Sequence, residues 1–349
     1  LLNRPPRAAV PTPPVPIELP ERLETPRGPK LSLAPLAVPV LFAGGMVLAL
    51  GSWRYALFGL LAPAMAIANW LAGRRQSRRS SERNAALGGE ALTELDAQLD
   101  EVLLTERSRR KAIAPDLVEI RRRIELPTRE LWERRPQASD GFTVRVGIGE
   151  CSWVVPTQAV GSEVAPSALQ AVDRAQKLTS VEIVVKLSDG HVGVVGDGEA
   201  SAALARAIVV QLATHHGPAD LELAVVSRTR SSAWDWTRWL PHAGDAATGK
   251  SRVFDADGAD EMARAFFERH DAERPARRTG HLLLVVDDPA AFRGRSSPLR
   301  RLLGEIDGVI AVILAPTVDE LPASVSSIIH VDEEDGRIRV HRPAEAELG

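Results

Sequence analysis

Hydrophobic positions divide the chain into three regimes. Between Leu31 and Gly73 two nearly uninterrupted apolar stretches stand back to back. They read LSLAPLAVPVLFAGGMVLALG (Leu31–Gly51) and YALFGLLAPAMAIANWLAG (Tyr55–Gly73), joined through Ser52-Trp53-Arg54. Neither contains an acid or a lysine. A helix rises about 1.5 Å per residue, so each stretch is long enough for the roughly 30 Å of bilayer hydrocarbon. The pattern predicts a transmembrane helical hairpin over residues 31–73, with a pair of buried core helices as the alternative. A signal peptide would hold one shorter apolar region nearer the amino terminus.

From Ser80 to Ile124 the chain is charged, and Leu92, Leu95, Leu99 and Val102 recur at steps of three and four. That is a short heptad seam on a helix, which Pro115 should break in two. Two readings fit: a stalk leaving the membrane, or a linker packed on the soluble domain.

After Pro136 strand and helix patterns alternate. Phe142–Val146 and Trp153–Val155 read as short strands around the glycines of VGIG. Val181–Leu187 and His191–Gly196 flank Ser188-Asp189-Gly190, which predicts a hairpin. Glu199–His215 reads as a helix with Leu204, Ile208 and Leu212 along one face, followed by the strand Leu221–Val226. A helix near Ala259–Glu273, the strand His281–Asp288, a helix near Leu299–Glu305 and the strand Val309–Ala315 continue the alternation. Such apolar runs separated by helices predict a parallel sheet covered on both faces. Ser327–Val340 reads as a closing antiparallel hairpin. The fold class is therefore α/β. The first thirty residues, rich in proline, read as an extended arm without a fold of its own.

Charge adds topology. Arg22, Arg27 and Lys30 precede the apolar pair, and Arg74, Arg75, Arg78, Arg79 and Arg83 follow it. Positive flanks stay cytoplasmic, so the predicted hairpin is two-pass, with the amino terminus and the soluble domain in the cytoplasm. The net charge of −3 excludes a globally basic nucleic-acid surface. The arginine run suits anionic lipid better than DNA. The single Cys151 excludes an internal disulfide and fits a cytoplasmic bulk. The chain of 349 residues does not begin with Met and reads as a piece of a longer protein.

The unit His191–Val226 is strand, glycine loop, helix, strand, the layout that binds phosphate on a helix N-terminus. Gly193, Gly196 and Gly198 would permit the tight turn, and Ser201 falls in the first helical turn. A working phosphate loop needs Lys before its Ser or Thr. Here Asp197 and Glu199 stand where phosphate would lie, and Glu199 could itself satisfy the helix dipole. The loop reads as a degenerate phosphate loop that does not hydrolyse ATP, against a weak nucleotide site as the alternative.

GDAATGKS matches the phosphate-loop pattern fully through Gly244, Gly249, Lys250 and Ser251. It follows Trp-Leu-Pro-His-Ala instead of a buried strand, so a surface loop is the simpler reading and an ATP site the rival. Asp287 and Asp288 end the strand HLLLVVDD, where acids could hold Mg²⁺ through water or cap the next turn. Trp234, Trp236 and Trp239 form a candidate partner surface, with at least one expected in the core. The histidines show no ligand spacing, and neither a metal site nor a nucleophilic triad stands out.

Several segments together resemble the amino-terminal part of EccC, the membrane ATPase of actinobacterial type VII (ESX) secretion systems. They are RPPR…PPVPIELP (Arg4–Pro20), RELWERRPQASDGFTVRVGIG (Arg129–Gly149), DLELAVVS (Asp220–Ser227), AWDWTRWLPH (Ala233–His242) and DELPASVSSIIHVDEEDGRI (Asp319–Ile338). The paired apolar stretches match as well. The resemblance implies the FtsK/SpoIIIE class of motors. In that frame residues 1–30 are a cytoplasmic arm, 31–73 the membrane hairpin, 74–135 a basic juxtamembrane segment and stalk, and 136–349 a degenerate P-loop ATPase-like domain. Catalytic ATPase domains that use ATP and Mg²⁺ would follow, with no cofactor in this segment. Hexamers, other membrane components of the secretion complex as partners, and export of helical-hairpin substrates are implied too. A membrane-anchored DNA translocase of the same class is a rival, but it would need a basic DNA-reading module that this chain lacks, so no specific nucleic acid is expected.

Overall fold

A computed structural model describes residues 12–23, 41, 48, 56–126, 128–159, 163–228, 233–244, 252–272, 280–292 and 297–341. In chain order the elements are β1 (Ile17–Leu19), α1 (Ala56–Ile113), α2 (Leu117–Glu125), β2 (Thr143–Ser152), β3 (Thr157–Ala159), α3 (Pro166–Ala175) and β4 (Lys177–Lys186). They continue with β5 (His191–Val195), α4 (Glu199–His215), β6 (Leu221–Ser227), β7 (Val253–Phe254), α5 (Ala256–Ala272) and β8 (His281–Asp287). The last are α6 (Pro298–Glu305), β9 (Val309–Ala315), β10 (Val325–Val331) and β11 (Ile338–His341). The chain forms two compact units, one from residues 14–105 and 152–177, the other from 106–151 and the chain from Leu178 onward. This division falls elsewhere than the expected step between residues 135 and 136.

In the smaller unit the seam of α1 is used internally. Leu95 and Leu99 are buried with Ile17 and Leu19 of β1, Val155, and Ala168, Ala171 and Val172 of α3. The proline-rich arm thus has a folded part: β1 pairs in parallel with β3, Ile17 opposite Thr157. Its alternating Ile17 and Leu19 supply the apolar face that proline content alone conceals.

Among the described residues no helix is long and apolar enough to cross a membrane. Apart from Leu41 and Leu48, the first apolar stretch lies outside them. The second opens α1, where Met65, Ile67 and Leu71 are exposed. That stretch and the charged segment after it form one continuous helix. From Ala64 to Ile113 the sequence has no proline, and Gly73, Gly88 and Gly89 alone do not end a helix. The break at Pro115 is present: α1 stops at Ile113, and Asp116 caps α2 by accepting the Glu119 N–H at 2.8 Å.

The larger unit is built on a sheet of seven strands among the described residues, in the order β11-β10-β5-β9-β8-β6-β7. The strands from β10 to β7 pair in parallel, and β11 closes the edge antiparallel to β10. Alternation along each strand feeds two cores. Leu221, Leu223, Val225, Leu283, Val285, Ile310 and Val312 face α4 and β2. Ala224, Val226, Leu282, Leu284, Ala311 and Ile313 face α5 and α6. This is the covered parallel α/β sheet that the apolar runs predicted.

Local pairings differ from the predicted ones at two places. The turn at Ser188–Gly190, with Gly190 at φ 138°, is a corner between sheets and not a hairpin, because β4 pairs with β2 while β5 lies between β10 and β9. A strand buried on both faces, as β5 is, takes its neighbours from the main sheet. The VGIG glycines sit inside one continuous β2, and Trp153–Val155 lies beyond it.

Candidate functional site

The glycine loop follows β5 and opens α4 as expected, but the groups around it are not those the loop's own sequence suggests. Gly193 lies mid-strand, where an added Cβ would come within 2.5 Å of Leu321; it serves packing and not the turn. Asp197 is exposed. Glu199 stands in the first turn of α4, its side chain 82% exposed and paired with Arg206 two turns further along the helix. Gly198 is the N-cap residue and has no side chain to offer.

The anion position is taken by Glu333, from the turn between β10 and β11. Its carboxylate accepts the N–H groups of Ala200 at 2.8 Å and Ser201 at 3.1 Å. The approach needs both loop glycines: a Cβ on Gly196 or Gly198 would meet the carboxylate oxygens at 2.6 or 2.5 Å. Ser201 is buried, and its hydroxyl donates to Gly198 O at 2.9 Å. Burial pulls the Glu333 pKa up, but Ser201 and the N–H groups of Ala200, Ser201 and Gly198 together hold it below the usual carboxylate value. The turn that presents it is organised by Asp332 and Asp335, which accept the N–H groups of Glu334 and Arg337. Glu333 is not legible as a site residue, because the sequence shows VDEEDG only as part of a closing hairpin.

The acids at the end of β8 are also engaged. Asp287 Oδ2 accepts the indole N–H of Trp234 at 2.8 Å. Burial above all, and the neighbouring Asp288, raise the Asp287 pKa, with the Trp234 bond opposing. Asp288 is buried, accepts the Ala290 N–H at 3.0 Å and lies 3.5 Å from Arg228 Nε. It caps the 3-10 turn Pro289–Phe292, the simpler of its two sequence readings.

The tryptophans separate. Trp234 is 0% exposed and belongs to the core, so it cannot form a partner surface; Trp236 is half-buried, and Trp239 is 82% exposed. Of the rival phosphate loop only Gly244 is described; Gly249, Lys250 and Ser251 lie outside the described residues. No group of three or more His, Cys, Asp or Glu among the described residues is arranged to hold a metal.

The far end of α4 reveals what the segment RELWERRP does. The four carbonyls at a helix C-terminus need donors from outside the helix. Here the Trp132 indole donates to Ala213 O at 3.0 Å, Trp132 N–H to Thr214 O at 2.9 Å and Arg134 N–H to His215 O at 3.0 Å. Trp132 holds φ at 59°, a conformation costing roughly 1–3 kcal/mol that these bonds maintain. The buried Arg134 guanidinium donates to Asp140 O and Thr143 O, each at 3.1 Å, and to Ile113 O at the end of α1. His242, the last residue of AWDWTRWLPH, reaches His216 O through Nε2 at 2.8 Å and meets the Trp132 ring edge-on at 6.2 Å. Gln211 binds both backbone groups of Arg145 in β2.

Two motifs quoted for the resemblance, LWERRP and WDWTRWLPH, therefore converge on one joint. No family model matches the chain. It is 34% identical over 186 residues to the ESX-5 secretion system protein EccC5 of Mycobacterium tuberculosis, covering 46% of this chain and 13% of that protein. It is 30% identical over 207 residues to the ESX-4 protein EccC4 of the same organism, covering 56% and 15%.

Over about half of its length the chain is similar to EccC proteins.

A further EccC, from Thermomonospora curvata, is 32% identical over 123 residues, covering 32% of this chain and 9% of that protein. The matched parts thus span well under a fifth of each EccC protein named here. Among solved structures, the cytoplasmic domain of the type VII secretion ATPase EccC of T. curvata is similar at 18% identity and a TM-score of 0.34, over 44% of this chain and 22% of that one. T. curvata EccC ATPases 2 and 3, solved in complex with a signal sequence peptide, give 19% and 0.31, over 48% and 34%.

Proposed function

We propose that this chain is the anchoring and non-hydrolysing part of an EccC-like type VII secretion motor, its α/β domain a pseudo-ATPase. One observation carries the reading: Glu333 occupies the position where a phosphate would meet the N-terminus of α4. A phosphate brought there would face a carboxylate already bonded to the N–H groups it needs, and like charges repel. The acid side of the site supports the same reading, since Trp234 and the Ala290 N–H engage Asp287 and Asp288. In this reading the apolar stretches 31–51 and 55–73 form a two-pass anchor in the cytoplasmic membrane, with both ends in the cytoplasm. Hexameric assembly, partners in the membrane complex and export of helical-hairpin substrates, driven by ATP and Mg²⁺ in catalytic domains elsewhere in the intact protein, complete the proposal.

Calorimetric titration of the full chain with ATP and Mg²⁺ tests it. No binding is expected. Binding that Lys250→Ala abolishes would overturn the reading in favour of the Gly244–Ser251 loop. Binding that survives Lys250→Ala but is lost in Ser201→Tyr would overturn it in favour of a nucleotide site at the α4 N-terminus.

A further inference from the structure

Both ends of α4 are capped by residues remote in sequence. At its start Glu333 of the β10–β11 turn takes the N–H groups of Ala200 and Ser201. At its end Trp132 and Arg134 supply donors to Ala213, Thr214 and His215, and Arg134 also grips Ile113 O at the end of α1. Between these caps lie 17 residues, about 25 Å of helix. A second connection runs beside the first. The segment Trp234–His242 lies against the same core face, tied to Asp287 at one end and to His216 O at the other. Two members thus leave the joint at Trp132 and Arg134: α4 runs to Glu333, and Trp234–His242 runs from His216 O to Asp287. Ile208, Val209 and Leu212 of α4 and Trp234 of this strap are fully buried in one core.

We propose that this pair of members is a mechanical relay, through which a displacement of α1 at the Arg134 joint changes the hold of Glu333 on α4. The domain passes on strain in place of a nucleotide signal. The proposal takes from the preceding section only that Glu333 fills the loop. An ATP titration tests that reading, whereas the relay is tested by hydrogen exchange, so the two fail separately.

The test is amide exchange in the full chain. Trp132→Phe removes one indole donor at the joint and leaves the aromatic packing. The amides of Ala200 and Ser201 should then exchange at least about fivefold faster, the lower end of coupling between sites. The reference is Leu284→Ala, buried in the opposite core, compared at a urea concentration giving equal global stability. His242→Leu, which removes the bond to His216 O together with the edge-on contact to Trp132, should act in the same direction and serves if Trp132→Phe does not fold. Coupling is reciprocal. Glu333→Gln should therefore speed exchange of the Trp132 indole N–H by a similar factor. Rates at Ala200 and Ser201 matching those of the Leu284→Ala reference would overturn the relay, as would an unchanged Trp132 indole in Glu333→Gln.

Discussion

Glu333 stands 2.8 Å from the N–H of Ala200, although 132 residues separate it from Ser201, the next residue it caps. It is the N-cap that Gly198 cannot provide. Glu333→Ala should cost about 1 kcal/mol of stability, as for loss of other caps. Because the folded-state pKa lies below the usual carboxylate value, the contribution is present above that value and fades as pH falls through the folded one. Urea denaturation of both forms at neutral and acidic pH measures it; the difference between them should shrink in acid.

Gly198→Ala should imitate that loss. A Cβ there would lie 2.5 Å from Glu333 Oε2 and 2.8 Å from Cδ, so the carboxylate must leave the helix end. The two substitutions remove one interaction, hence Gly198→Ala with Glu333→Ala should destabilise little more than either alone. Additive losses in a double-mutant cycle would show that the glycine serves another purpose.

Desolvated histidines should make the domain acid-sensitive. Burial above all lowers the pKa of His216 to about 4, and His242, His281 and His191 shift the same way. His216 stacks on Phe142 at 4.6 Å, and its Nε2 has no hydrogen-bond partner, so a proton there is unwelcome. Between about pH 6.5 and 4 the unfolded chain binds more protons than the folded one, and stability falls as pH falls. His216 alone should contribute a loss of roughly 3 kcal/mol over that window. Unfolding midpoints from pH 7 to pH 4 should show a shallower decline in His216→Asn.

Trp234→Phe should leave Asp287 buried without its indole donor. The expected cost is about 1–3 kcal/mol, as for a buried polar group stripped of its partner, and the Asp287 pKa should rise further. Thermal unfolding gives the first quantity, and carboxylate NMR titration the second.

What the sequence reveals follows from periodicity. The bounds of α4, the buried strands Leu221–Val226 and Val309–Ala315, and the closing hairpin are all legible, because apolar alternation and helical spacing are local properties. The site is less legible, because its occupant comes from elsewhere. Asp197 is exposed and Glu199 pairs with Arg206, whereas Glu333 arrives through the pairing of β10 with β5. Likewise nothing within LWERRP announces a helix C-cap, since the helix it completes lies some eighty positions further on. The turn at Ser188–Gly190 misleads for a related reason: turn chemistry specifies that the chain reverses, not which strand it will pair with.

The Arg134 joint has a practical consequence for dissecting the molecule. The apparent domain boundary after Pro136 is where one would cut to obtain the α/β domain alone. Such a cut would discard Trp132 and Arg134 and leave the carbonyls of Ala213, Thr214 and His215 without their donors, next to the buried His216. A fragment meant to fold by itself should begin no later than Glu106, so that the last turns of α1 travel with the sheet they are fastened to.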